Sequence, residues 1–196
     1  FADATGRFLP LVATLNAARV LSATAELLGV DLARLDELAL SAAPGAGGLV
    51  LLPYLDGERT PDRPQAQGRY VGLTTTSGTR ENLARATVEG MLCGLADGVD
   101  ALIAQGVPAR RALLIGGGSR SRAVADMAPD VLGLPVEVLA PQEYVALGAA
   151  RQAAWALHGE EPGWTVTRET TREVSDPAAA EQVRARYADV RDGRAP

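Results

Sequence analysis

The chain has 196 residues, 47% of them hydrophobic and 22% charged, with a formal net charge of −5. That length and composition suit one globular domain with a substantial core and exclude a disordered chain. The acidic balance gives no general reason to bind nucleic acid or an anionic membrane, and no apolar run approaches a membrane span.

The single cysteine, Cys93, cannot close an internal disulfide, which fits a reducing, cytoplasmic setting. One histidine, His158, with no clustered cysteines, excludes an ordinary zinc site. The chain opens on Phe1-Ala2-Asp3, without an initiator Met or the basic and apolar regions of a signal peptide, so it is expected to be a piece of a longer protein.

In chain order, residues 8–28 read as a short apolar segment merging into a helix. Leu15, Val20, Ala23, Leu27 and Leu28 recur near the helical period, and Gly29 is placed to end it. A second helix is predicted over 32–40. Gly45, Gly47 and Gly48 then open a loop feeding Leu49-Val50-Leu51-Leu52, a predicted buried strand. From 53 to 68, Pro53, Pro61, Pro64, Gly57 and Gly68 forbid regular helix. A long loop of this kind either serves a function or is a solvated excursion between two strands. Its charges, Asp56, Glu58 and Arg59, are expected to line a cleft or support structure more than to do chemistry.

Residues 70–73 read as a strand. Thr79 is a predicted N-cap, with Glu81 in the first turn of a helix over about 80–105. In that helix Gly90, Gly94 and Gly98 fall four apart on one side. Each mid-helix glycine costs up to about 1 kcal/mol against alanine, so close approach of another backbone is the expected compensation. Glu89 is predicted to make a buried hydrogen bond. Leu113-Leu114-Ile115 reads as a buried strand, followed by Gly116-Gly117-Gly118-Ser119-Arg120-Ser121 and a helix over about 120–132 ending near Gly133. A further strand is expected over 135–139. An Ala-rich helix over 143–157 follows, whose Gly148 suits tight packing. The tail from 161 carries one charged helix near 178–191.

The strand–glycine turn–helix at 113–132 is the most telling of these. Consecutive glycines remove the Cβ atoms that would hold a ligand off the backbone, and a following helix directs free N–H groups at the turn. The run does not continue as G-x-G-x-x-G, since Ser119-Arg120-Ser121-Arg122 follow, so a dinucleotide dehydrogenase lacks support. The same run in a plain α/β domain would be only a tight turn.

Three segments, in order and properly spaced, resemble the C-terminal lobe of the FGGY carbohydrate kinases. Gly68-Arg69-Tyr70-Val71-Gly72-Leu73, eight residues and then Asn82-Leu83-Ala84-Arg85-Ala86-Thr87-Val88-Glu89 is similar to that family's second signature. Gly116 to Ser121, followed by Asp130-Val131-Leu132-Gly133-Leu134-Pro135-Val136, resembles its adenosine-binding strand–turn–helix. Glu143-Tyr144-Val145-Ala146-Leu147-Gly148-Ala149-Ala150 resembles the helix closing the same side. The loop 52–61 is most similar to the branch that phosphorylates D-xylulose.

The resemblance implies an α/β fold: an actin-like ATPase lobe of ribonuclease H-like topology, a mixed sheet flanked by helices, truncated at its N-terminal strands. It covers about residues 1–160 as the nucleotide-binding lobe, with 161–196 a tail. It implies ATP with Mg2+ as cofactors and transfer of the γ-phosphoryl to the 5-hydroxyl of D-xylulose. Kinases of ribulose, gluconate or glycerol, and a non-catalytic actin-like module, remain open. The cofactor-binding residues it implies are Gly117, Gly118 and Ser119 in the turn, Arg122 near the adenine, and Ser77 and Gly78 before the long helix. No metal ligand and no catalytic residue is assigned in this chain. The family's Asp-x-Gly-Thr/Ser hairpin does not occur, Asp3-Ala4-Thr5-Gly6 having the wrong order. The catalytic Asp lies on the other lobe. The partners implied are that missing N-terminal lobe, the sugar and ATP, with self-association into a homo-oligomer where apolar surface is left open. The isolated chain is expected to be inactive.

Overall fold

The spine of the fold is a long helix, α3 (Arg80–Ala104), against which all but one of the other α-helices pack. The structure is a computed structural model that describes residues 1–2 and 5–194, so Asp3 and Ala4 of the N-terminal tetrapeptide lie outside the described residues. The Thr79 side chain caps α3 by accepting from the Asn82 N–H at 3.1 Å, as its position predicts.

Two helices precede it, α1 (Ala18–Leu28) and α2 (Leu32–Ser41). Gly29 ends α1 in the left-handed region with φ 63°, and its N–H returns to the carbonyls of Ala25 and Glu26. The buried face of α1 is Val20, Leu21, Thr24 and Ala25, whereas Leu15 and Leu27 point outward. The stripe is therefore rotated from the one the leucines suggest, because the Thr24 hydroxyl finds Thr87 on α3 at 3.1 Å and can be buried there.

A hairpin of β1 (Val50–Leu52) and β2 (Arg69–Val71) pairs Leu51 with Tyr70. Beyond α3, β3 (Ala112–Leu114) runs parallel to β4 (Val136–Leu139), with α4 (Arg122–Leu132) as the crossover. The tail then adds β5 (Arg168–Arg172), antiparallel to β4, so this sheet is mixed, in the order β3-β4-β5. The last helices are α5 (Tyr144–His158) and α6 (Pro177–Arg191).

Two expectations fail here. The strand at 113–115 is not buried: Leu113 and Ile115 are 49% and 50% exposed, since alternate residues of a strand share one face of the sheet and that face is left open here. No residue of α5 is buried and a Cβ at Gly148 would meet nothing, so its small residues serve no tight packing in this structure. The tail holds the expected helix, α6, and adds the strand β5. Val183, Tyr187 and Val190 of α6 enter the main core together with Leu35, Leu52, Val88, Leu92 and Ala128, and Ala180 is also buried.

Glu89 meets its expectation. It is buried on α3, accepts from the Gly45 N–H at 3.0 Å and pairs with Arg85 at 2.6 Å. Burial pushes its carboxyl above the ordinary range, against the pull of Arg85 and of the Gly45 N–H. The native state thus holds this proton more tightly than the unfolded chain does. The group's contribution to stability is complete below the unfolded value of about 4.3 and declines as pH rises through the raised native value. In denaturant titrations between pH 4 and 7, the wild type is expected to lose stability relative to Glu89→Gln as pH rises. Parallel curves for the two proteins would contradict this.

Candidate functional site

After β3 the chain passes Gly116, whose φ of 84° and ψ of −172° suit only glycine. Gly117–Arg120 then form a single 3-10 turn. The turn is closed by its own groups: the Ser119 hydroxyl donates to the Gly116 carbonyl at 2.7 Å, and the Ser121 N–H donates to the Gly118 carbonyl at 3.2 Å. Ser121 caps α4, accepting from the Val124 N–H at 3.1 Å.

Facing this turn stand the start of α1 and the first half of α2. Between them lies a cleft of about 530 Å3. Ala18, Leu21, Leu32 and Leu35 give it an apolar wall, Gly117 and Gly118 its backbone side, and Arg19, Arg120, Asp36 and Ser121 its polar groups. That mixture, mostly apolar with a few convergent polar atoms, is the usual make-up of a small-molecule site.

The two turn glycines differ. A Cβ at Gly118 would stand 3.3 Å from the Ala18 Cβ, so this glycine lets α1 approach. A Cβ at Gly117 would meet no protein atom within 4 Å, and would project beside the cleft that this residue lines. Gly117 is the position whose bareness the protein's own packing does not need.

The other candidate residues are arranged differently. Ser119 belongs to the turn, but its hydroxyl folds back onto Gly116. Arg122 opens α4 with a largely exposed side chain, 3.4 Å from Asp126, and does not line the cleft. Ser77 is buried in the turn before α3, where its hydroxyl donates to the Gly72 carbonyl and accepts from the Thr74 N–H, each at 2.8 Å. Neither Ser77 nor its neighbour Gly78 lines the cleft. Among the described residues no group of three or more His, Cys, Asp or Glu is gathered to hold a metal.

Sequence reasoning missed the opposite wall. Ala18, Arg19, Leu21 and Asp36 precede the turn by some eighty residues or more, and no local motif marks them. It also passed over Arg120 and Ser121 within the quoted run.

The polar loop between β1 and β2 turns out to position α1. Glu58 is 3% exposed; it accepts from the Leu15 N–H at 2.8 Å and from the Asn16 amide at 2.9 Å. The Thr60 hydroxyl donates to the Ala13 carbonyl at 3.0 Å, and Asp56 pairs with Arg19 on α1. The loop's charges thus tie down residues 13–19 just ahead of the helix that walls the cleft. Across the molecule, Arg63 and Arg69 donate to the carbonyls of Arg191 and Val190, at the C-terminal end of α6.

A mixed sheet with a parallel βαβ unit, a glycine turn at its crossover and helices packed across it define an actin-like lobe of the kind found in sugar kinases. The crystal structure of xylulose kinase from Bifidobacterium adolescentis has this fold, with a TM-score of 0.85, 48% sequence identity, and coverage of 97% of this chain and 38% of that one. The chain belongs to the FGGY family of carbohydrate kinases, whose C-terminal domain matches residues 4–157. It is 40% identical over 171 residues to the xylulose kinase of Streptomyces rubiginosus, covering 86% of this chain and 33% of that protein. With the xylulose kinase of Haemophilus influenzae it shares 36% identity over 156 residues, 80% of this chain and 32% of the relative. The chain therefore spans about a third of the curated relatives it matches. Among the described residues no helix is long and apolar enough to cross a membrane.

Proposed function

We propose that this chain is the ATP-binding lobe of a cytoplasmic kinase that phosphorylates D-xylulose to xylulose 5-phosphate, and that the cleft beside Gly117 receives the nucleotide. The observation that carries the reading is the pairing of a bare glycine turn with an apolar wall across a cleft of about 530 Å3, room for a nucleoside. The choice of sugar is supported by the names of the relatives, both xylulose kinases.

ATP, with its Mg2+, supplies the γ-phosphoryl group. The work of this chain is to bind and orient: Ala18 and Leu32 cover the base, and the turn's backbone sets the approach of the ribose and α-phosphate. Arg120 adds positive charge at the same cleft, whereas Arg19 is already paired with Asp56. The carboxylate base and the sugar contacts belong to the rest of the parent. The exposed Leu113 and Ile115, on one face of β3, support the view that the rest of the parent, or a second copy of the chain, covers that face.

In a coupled ADP-release assay, the full-length protein is expected to turn over D-xylulose with a higher kcat/KM than ribulose, gluconate or glycerol. The 196-residue chain alone is expected to give no sugar-dependent turnover, because positioning and charge stabilisation at the γ-phosphoryl carry most of this chemistry. Preference for another of these sugars would refute the substrate. Turnover by the isolated chain would refute the division of labour.

A further inference from the structure

We infer that Asp36 is a specificity-determining residue of the cleft, accepting a hydrogen bond from an uncharged donor of the nucleoside and closing the start of α4 to phosphate. The inference rests on reading the cleft as a nucleotide site.

Asp36 lies on α2, far in sequence from the turn, and its carboxylate reaches across to the start of α4. One oxygen accepts from the Ser121 hydroxyl at 2.5 Å and the other from the Arg122 N–H at 2.7 Å. These are the N-cap and first residue of α4. The α4 N-terminus, whose free N–H groups and dipole would otherwise attract an anion, is therefore already served by the protein's own negative charge. A phosphate brought there would face a carboxylate within a few ångströms, and like charges at that range repel.

The carboxylate is not exhausted by these bonds. Each oxygen has two lone pairs, so two acceptor positions remain, and Asp36 is half-buried on the cleft wall beside Leu32, Leu35 and Ser121. The chemistry that fits is a neutral N–H or O–H donor attached to a flat, largely apolar body. A nucleoside offers two: an exocyclic amine on its base and the hydroxyls of its ribose. The geometry thus orients a nucleotide with its nucleoside against Asp36 and its phosphates away from α4.

The test uses the full-length protein with ATP, with ITP, in which the base amine becomes a carbonyl, and with 2′-deoxy-ATP. Asp36→Asn keeps the shape and can still accept from Arg122 with its amide oxygen. Its amide nitrogen would present a donor to the cleft in place of an acceptor. A hydrogen bond to a charged group decides affinity by roughly tenfold or more. The wild type is therefore expected to prefer ATP over one analogue by about that factor. Asp36→Asn is expected to erase the preference through the nucleotide KM, with the sugar KM unchanged and kcat altered only slightly. Loss of discrimination against ITP assigns the base amine as the donor, and loss against 2′-deoxy-ATP assigns the ribose. A wild type that works with ATP but treats all three nucleotides alike, or an Asp36→Asn protein with unchanged ratios, would overturn the role of Asp36. A wild type with no nucleotide-dependent turnover would instead remove the nucleotide site, and this role with it.

Discussion

Gly117→Val in the full-length protein is expected to raise the KM for ATP on the order of a hundredfold, the scale on which misplacing a reactant by about an ångström is felt, while leaving the KM for the sugar nearly unchanged. The reasoning is steric. A Cβ at Gly117 would meet no protein atom within 4 Å, and the residue's φ is not in the left-handed region, so neither close contact at the Cβ nor backbone strain opposes it. The valine would be accommodated by the fold and would occupy ligand space in the cleft that this residue lines. Gly118→Val is the necessary contrast. Its Cβ would press on Ala18 at 3.3 Å, and the valine methyls would push α1 off the turn. That variant is expected to lose thermal stability as well as ATP binding. If Gly117→Val melts like the wild type and keeps wild-type ATP kinetics, the turn is only structural.

The glycine turn could be read from the chain because it is local: strand, three glycines and a capped helix are consecutive in sequence. The same holds for α3, announced by Thr79, and for the ends of α1 and α4 at Gly29 and Gly133. What could not be read is what depends on a distant partner. β5 is Arg-Glu-Thr-Thr-Arg, an edge strand with no apolar alternation to betray it, and it forms because β4 offers a free side. The burial of α6 does leave a trace, since Ala180, Val183, Tyr187 and Val190 recur at spacings of three and four, but the surrounding arginines and acids mask it. The candidate site divides the same way. Its turn is a motif, whereas its far wall comes from two helices whose exposed positions look like any solvated surface. Asp36, in particular, reads in sequence as an ordinary helix carboxylate; only its hydrogen bonds to Ser121 and Arg122 set it apart.

The largest stability effect is expected at Gly90. The glycines at 90, 94 and 98 share one side of α3, and replacing any of them by alanine should gain up to about 1 kcal/mol of helix propensity. What each would touch differs. At Gly90 a Cβ would stand 2.2 Å from the Leu51 carbonyl oxygen and 3.2 Å from its carbon, and that backbone cannot swing aside because β1 is held in register with β2. At Gly98 it would stand 3.2 Å from a methyl of Val12, which can shift by the few tenths of an ångström required. At Gly94 it would lie 3.6 Å from the Tyr187 hydroxyl, an ordinary contact. Gly90→Ala must therefore separate α3 from β1, an overpacking cost of about 3 kcal/mol, which for a protein of this size lowers the melting temperature by about 6–12 °C. Gly98→Ala is expected to be near neutral, and Gly94→Ala to stabilise by a few tenths to about 1 kcal/mol. Thermal and urea unfolding of the three variants distinguishes this from a generic glycine effect, which would move all three the same way. A Gly90→Ala protein as stable as Gly94→Ala would mean that α3 and β1 do not approach as closely as this packing requires.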